Sequence, residues 1–298
     1  MAVVFSLLAA VVYGTADFGG GLASRRAPAI QVAFISQLFG CVVLVPLVVL
    51  SSGLVASDVA WGMGAGFFGG LAIVAFYEAL AGGKMSVVAP VSAVTAVGIP
   101  VLFALVTGER PAPIQLLGIA LALAAIVLVS QERGDAPAPV GEGPTPHVAD
   151  VDEVGEEQPR LSPRGAIGLS LLAGCLFAPL FLFFDQAGDG AVPWALVGAR
   201  MASIPTVLVL AAISRAPLRP DRRLLPLLFG IGVFDMLANT FIVLAFDEGL
   251  LTVVAVVSSL YPAMTVLLAR AVLHEHLQRV QVVGLFSALA AITLISAG

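Results

Sequence analysis

This sequence is poor in charge. Only 11% of its 298 residues are Asp, Glu, Lys or Arg, against 59% hydrophobic, where a soluble domain carries about 25% charged residues. A water-exposed globule of this composition would present large apolar patches and aggregate; hydrocarbon is the solvent that suits it. The basic residues form no patch or stripe, which removes the electrostatic footprint of nucleic-acid binding. The two cysteines, Cys41 and Cys175, lie in different apolar stretches. They make neither a disulfide framework nor a thiolate metal site, and both read as small buried apolar residues. The three histidines, His147, His274 and His276, fall in or beside loops, so no Ser–His pair sits at membrane depth. His274-Glu275-His276 lacks the His-Glu-x-x-His spacing that puts two ligands on one helix face. The expectation is no enzyme, no metal and no cofactor. A basic leader is also missing from the first 20 residues, which therefore read as a retained first helix.

What is present in quantity is long apolar runs. Ten of them fit the ~20 residues needed to cross a ~30 Å hydrocarbon core: 2–22, 29–51, 59–80, 86–107, 114–131, 165–186, 191–214, 223–246, 252–273 and 279–297. Turn and charge signals separate them, for example Gly82-Gly83-Lys84 and Gly108-Glu109-Arg110-Pro111. Lipid cannot satisfy open backbone groups, so these segments are expected to be helices. They are continuously apolar rather than alternating, which disfavours a β-barrel. Trp61 and Trp194 begin spans and fit interfacial anchors.

Residues 132–164 stand apart, with eight acids, three arginines and six prolines. That composition cannot bury enough surface to fold and reads as an acidic, Pro-rich disordered linker; a partner-binding tail is the alternative. The segment alone carries the chain's formal net charge of −5. It divides the chain into residues 1–131 and 165–298, each with five spans. Shifted by 166 residues, 83–130 aligns with 249–296 without a gap: Glu109 meets Glu275, Gln115 meets Gln281, Gly118 meets Gly284, and Ala-Leu-Ala-Ala-Ile recurs at 122–126 and 288–292. Because five is odd, the second unit must enter the membrane in the opposite orientation. The expected fold is an all-α polytopic membrane protein of ten transmembrane helices in a 5+5 inverted-topology repeat, an architecture used by secondary transporters.

Of the 14 Lys and Arg residues, twelve lie at the loops that follow odd-numbered spans, Arg110 lies on the other side and Arg200 is deep in a span. The positive-inside rule then puts the linker in the cytoplasm and both termini outside.

The end of each unit carries a loop Glu (Glu109, Glu275), a Gln six residues on (Gln115, Gln281) and a Gly (Gly118, Gly284) before a last apolar span, and the second unit adds Ser258-Ser259-Leu260-Tyr261-Pro262. This resembles the EamA-like family of the drug/metabolite transporter superfamily over essentially the whole chain. The resemblance implies a helical bundle with a central cavity between the halves, working by alternating access on a small organic solute: amino-acid-like, nucleobase-like or drug-like, with proton or solute coupling left open. Ten-span members of the superfamily tend to keep both termini in the cytoplasm, opposite to the charge bias here. The expected partners are a small-molecule substrate and the lipid bilayer of the cell (inner or plasma) membrane, with no nucleic acid; a homodimer is left open. A scaffold subunit or an intramembrane enzyme is the alternative class.

Ionisable and polar groups at membrane depth mark function or pairing. The candidates for the cavity are Asp235 and Asn239, one turn apart on one helix, with Arg200, Asp17, Gln37 and Tyr261; Glu78 lies toward the end of a span. An Asp could carry a proton and Arg200 could hold an anionic group. The plainer alternative is that Arg200 pairs with an Asp only to lock helices together. Pro90, Pro100 and Pro262 are expected to break their helices, since each removes a backbone donor and broken helices expose carbonyls to substrates. Gly62, Gly66 and Gly70, four apart, would let a neighbouring backbone approach, a packing role. Glu109 and Glu275 are expected to order a loop or meet a helix terminus.

The orientation has a direct check. Topology reporters fused within 132–164 are expected to report a cytoplasmic location, and reporters at the C-terminus an external one. A cytoplasmic C-terminal reporter contradicts the charge reading.

Overall fold

The computed structural model describes all residues except Ser52, Lys84, 130–160, Asp189, 274–278 and Gly298. Most of the linker expected at 132–164, together with His147, His274, Glu275 and His276, thus lies outside the described residues. Among those described there are eleven α-helices: α1 (Ala2–Ser24), α2 (Ala29–Val49), α3 (Ala56–Gly82), α4 (Met85–Thr107), α5 (Pro113–Val129), α6 (Pro163–Asp185), α7 (Val192–Ser214), α8 (Leu225–Phe246), α9 (Leu251–Ser258), α10 (Tyr261–Leu273) and α11 (Arg279–Ala297). Eight of these, all but α5, α9 and α10, are long and apolar enough to cross a membrane. The last two residues assigned to the linker belong instead to α6. Ser162 starts that helix early, because its Oγ accepts from the Gly165 N–H at 3.1 Å and supplies the N-cap that the first turn lacks.

The expected ninth span is two helices, α9 and α10, joined through Ser259 and Leu260. The physical cause is local. Pro262 has no N–H to give the carbonyl of Ser258. The hydroxyls of Ser258 and Ser259 bond back to the carbonyls of Val254 and Val256, each at 2.7 Å, a pattern that competes with helical pairing. Pro90 and Pro100 behave differently from expectation. Both lie inside α4, which continues through them. No serine pair precedes either one, so each removes a single bond, a loss that membrane helices tolerate.

The packing is inverted relative to a water-soluble protein. Small residues fill the interior, with Ala9, Ala65, Ala93, Ala122, Ala173, Ala195 and Ala238 fully buried. Large apolar residues such as Val42, Val45, Leu102, Val106, Leu117, Ile213 and Phe286 face outward. Hydrocarbon gives helices no hydrophobic reason to associate, so close backbone packing of small residues must do it. The α3–α7 contact shows how. A Cβ on Gly62 would lie 2.0 Å from the Ala195 carbonyl oxygen, and one on Gly66 would lie 2.0 Å from that of Ala199. On α8, a Cβ on Gly232 would lie 1.9 Å from the Ser36 oxygen of α2. Helix α3 packs on α6 and α7, α8 on α1 and α2, α4 on α6, the α9–α10 pair on α1, and α5 on α11.

Several expected details differ. Cys175 is exposed rather than buried. Trp61 is 38% exposed, whereas Trp194 is half-buried with its indole nitrogen covered. Glu109 does meet a helix terminus. Its carboxylate accepts from the Leu251 N–H at 2.8 Å, the Thr252 N–H at 3.1 Å and the Thr252 hydroxyl at 2.8 Å, capping α9 with a charge that suits a helix N-terminus. Gln115 Oε1 accepts from the Ala112 N–H at 2.8 Å and orders the start of α5. Asp58 Oδ1 accepts from the Gly188 N–H at 3.3 Å, which ties the start of α3 to the α6–α7 loop.

The glycine contacts generate a test. Gly66→Ala is expected to lower stability in detergent by about 1–3 kcal/mol, the scale of overpacking a close contact, read as a fall in the thermal midpoint. Gly98→Ala, whose Cβ meets nothing within 4 Å, should leave the midpoint unchanged or raise it. Equal effects from the two substitutions would contradict this packing.

Candidate functional site

Six helices, α1–α3 and α6–α8, enclose a cavity of about 50 Å³, room for a few waters or a compact solute group. Its polar lining comes from Tyr13 of α1, Ser36 and Gln37 of α2, Tyr77 of α3, Arg200 and Ser203 of α7, and Asp235 and Asn239 of α8. Gly66 and Gly69 of α3 open one wall, while Phe177, Leu180 and Phe184 of α6 make an apolar one. The same glycine that lets α3 meet α7 therefore also leaves the space beside Arg200.

Arg200 bonds Asp235 through Nη2 and Oδ2, with side chains 11% and 20% exposed. The pair extends into a short chain. Asn239 Nδ2 donates to the Asp235 backbone carbonyl at 2.8 Å, and the Tyr13 hydroxyl donates to Asn239 Oδ1 at 3.0 Å. The last bond fixes the amide, leaving Asn239 oriented by α1 as well as by its own helix. Three buried polar atoms on the lining have no hydrogen-bond partner among the described residues: Gln37 Oε1, Arg200 Nε and Ser203 Oγ. One accepts, one donates and one does both. Buried polar atoms are nearly always paired, so these three stand available to water or to a polar guest.

Of the residues singled out from the sequence, Arg200, Asp235, Asn239 and Gln37 share this lining. Asp17 and Tyr261 do not. Asp17 is buried on α1 at 7% exposure, near enough to Asp235 for their charges to interact. Tyr261, at the start of α10, directs its hydroxyl to the Ala89 carbonyl of α4 at 3.4 Å. Pro90, Pro100 and Pro262 are also off the lining, and Glu78 is exposed. Sequence reasoning missed Tyr13, Ser203, Ser36 and the aromatic wall. Ser203 was within reach, being three residues after Arg200 and so on the same helix face.

The comparisons agree with this architecture. The model of the EamA-like transporter family matches residues 1–131 and 164–297. No curated protein matches the chain. A crystal structure of a protein superposes with a TM-score of 0.71 over 99% of this chain and 96% of its own, at 14% identity, a likeness of fold alone. With apolar helices, an internal polar cavity and a family match over nearly its whole length, the chain belongs to the EamA-like transporter family.

Proposed function

We propose that the chain crosses the cell membrane ten times, as two five-helix units of opposite orientation, and moves a small organic solute by alternating access through the Arg200–Asp235 cavity. The observation that carries the reading is the cavity itself: three helices from each half surround a charged pair and three unpaired polar atoms. The packing supports the two-unit arrangement. Exchanging the halves turns the α3 contacts with α6 and α7 into the α8 contacts with α1 and α2. Gly66 and Gly232, each pressed on a neighbouring backbone, are separated by the same 166 positions as Glu109 and Glu275. The acidic segment 132–164 then joins the units on the cytoplasmic side, following the positive-inside rule.

The chemistry of the lining narrows the solute class. Arg200 and Asp235 balance one another, so a solute of high net charge would leave one of them uncompensated in a low dielectric. An amino-acid-like zwitterion or a nucleobase offers an anionic or acceptor edge to Arg200 and a donor edge to Gln37 Oε1. The Phe177–Phe184 wall takes the apolar part. Opening toward the α6–α7 and α8–α9 loops requires breaking the bonds that Asp58 and Glu109 make across the halves.

Purified protein in liposomes, offered a panel of labelled amino acids and nucleobases, tests this. Wild type is expected to carry at least one of them. Asp235→Asn and Arg200→Gln should each reduce that flux by about tenfold or more, the scale of losing one partner of a buried pair. Glu78→Gln, at an exposed position, should not. Flux indifferent to substitution at both Arg200 and Asp235 would sink the assignment.

A further inference from the structure

The chain has three tyrosines, and all three converge on one buried carboxylate that the cavity does not use. Asp17 lies on α1 at 7% exposure. Tyr13 is one turn before it on the same face. Gly14, three residues before Asp17, is where α10 meets α1: a Cβ there would lie 2.5 Å from the Tyr261 carbonyl oxygen, and Thr265 Oγ1 donates to the Gly14 carbonyl at 3.2 Å. Gly20, three residues after, receives the Tyr77 ring, its absent Cβ falling 2.6 Å from the Tyr77 hydroxyl. The face of α1 that presents Asp17 is therefore bounded by Tyr13, Tyr261 and Tyr77, and the charge of Asp17 acts on each of the three.

The charges around it do not balance. Asp235 of α8 acts on Asp17, and Arg200 is the one basic residue on the cavity lining, where it is bonded to Asp235. Of the other helices that pack on α1, α2 carries only the thiol of Cys41 and α9 no ionisable group; α3 adds Asp58 at its start and the exposed Glu78, α10 has Arg270 nine residues after Tyr261, and Arg279 is exposed at the start of α11. Around Asp17 two carboxylates thus face one guanidinium among apolar helices, where an uncompensated charge is costly. A proton is the smallest neutralising partner. Tyr13 and Tyr261 donate elsewhere, to Asn239 Oδ1 and the Ala89 carbonyl, so Tyr77 is the phenol that suits both states: its hydroxyl can donate to a carboxylate and accept from a carboxylic acid.

We propose that Asp17, inside its ring of tyrosines, is a proton-binding site separate from the solute cavity. Tyr77 belongs to both, lining the cavity and resting on Gly20. When the proton leaves, the charge of Asp17 repels that of Asp235; when it returns, Asp235 faces Arg200 alone. Coupling of this proton to solute movement rests on the transport reading above, whereas the site itself does not.

The test uses the purified full-length chain and no solute: infrared difference spectra recorded as pH is varied over the range in which the protein stays folded. The expected result is a carbonyl stretch of a buried carboxylic acid that titrates, vanishes in Asp17→Asn, survives in Asp235→Asn, and shifts in frequency and midpoint in Tyr77→Phe. Asp17→Glu, which guards against a folding defect, should restore a displaced band. No titrating buried acid, or a band that ignores Asp17→Asn, overturns the proposal. Loss of solute flux with this titration intact would count against the cavity reading alone, and the reverse result against the proton site alone.

Discussion

A guanidinium surrounded by apolar helices must find an anion, and the Arg200–Asp235 bond is the point on which the rest of this structure depends. Insertion of a lone charge at bilayer depth costs roughly 2.5–3.5 kcal/mol by the lower scale, so α7 and α8 are committed to a rotation that brings the two side chains together. That rotation aims Ser203 and Asn239 inward as well, since each is a turn away on its own helix. Asn239 then recruits Tyr13 of the opposite half. Removing one partner would leave the other buried and uncompensated, which is why such pairs are strongly destabilising to break even though they are weak sources of net stability.

Space for the pair comes from glycine. Helix α3 could not lie against α7 if Gly62 or Gly66 carried a side chain, and the same narrow wall leaves the cavity open beside Arg200. Packing and site are thus one design. Small residues draw the helices together where hydrocarbon offers no hydrophobic force, and a gap remains where the polar side chains meet. Farther out, Glu109 and Asp58 hold helix ends and loops across the halves with carboxylate–amide bonds, contacts that can be made and broken at little cost compared with the helix interfaces.

Helix positions were legible in the sequence because length and hydropathy alone decide them; apart from the break inside the ninth span, observed ends fall within three residues of expectation. Rotation was not legible. Spans apolar all round carry no stripe to show which face turns inward, so Phe177 and Phe184 could not be told from lipid-facing neighbours. Ionisable residues were the exception, because only the interior tolerates them: Arg200 and Asp235 were found on that ground. The same reasoning placed Asp17 in the cavity, whereas it is buried on α1 off the lining. The prolines misled at Pro90 and Pro100, since one missing donor does not break a helix; the break before Pro262 needed the back-bonding serines beside it. Glu109 was read to the level of a helix terminus, and only three dimensions supply which terminus.

The central claim is that the space beside Arg200 communicates with water on both sides of the membrane. It is tested most directly by replacing Cys41 and Cys175, placing a single cysteine at Ser203, and applying membrane-impermeant thiol reagents to either face of sealed vesicles. Alternating access predicts labelling from each face in turn, with reagent on one face protecting against the other. Labelling from neither face, or from one face only under every condition, would contradict it.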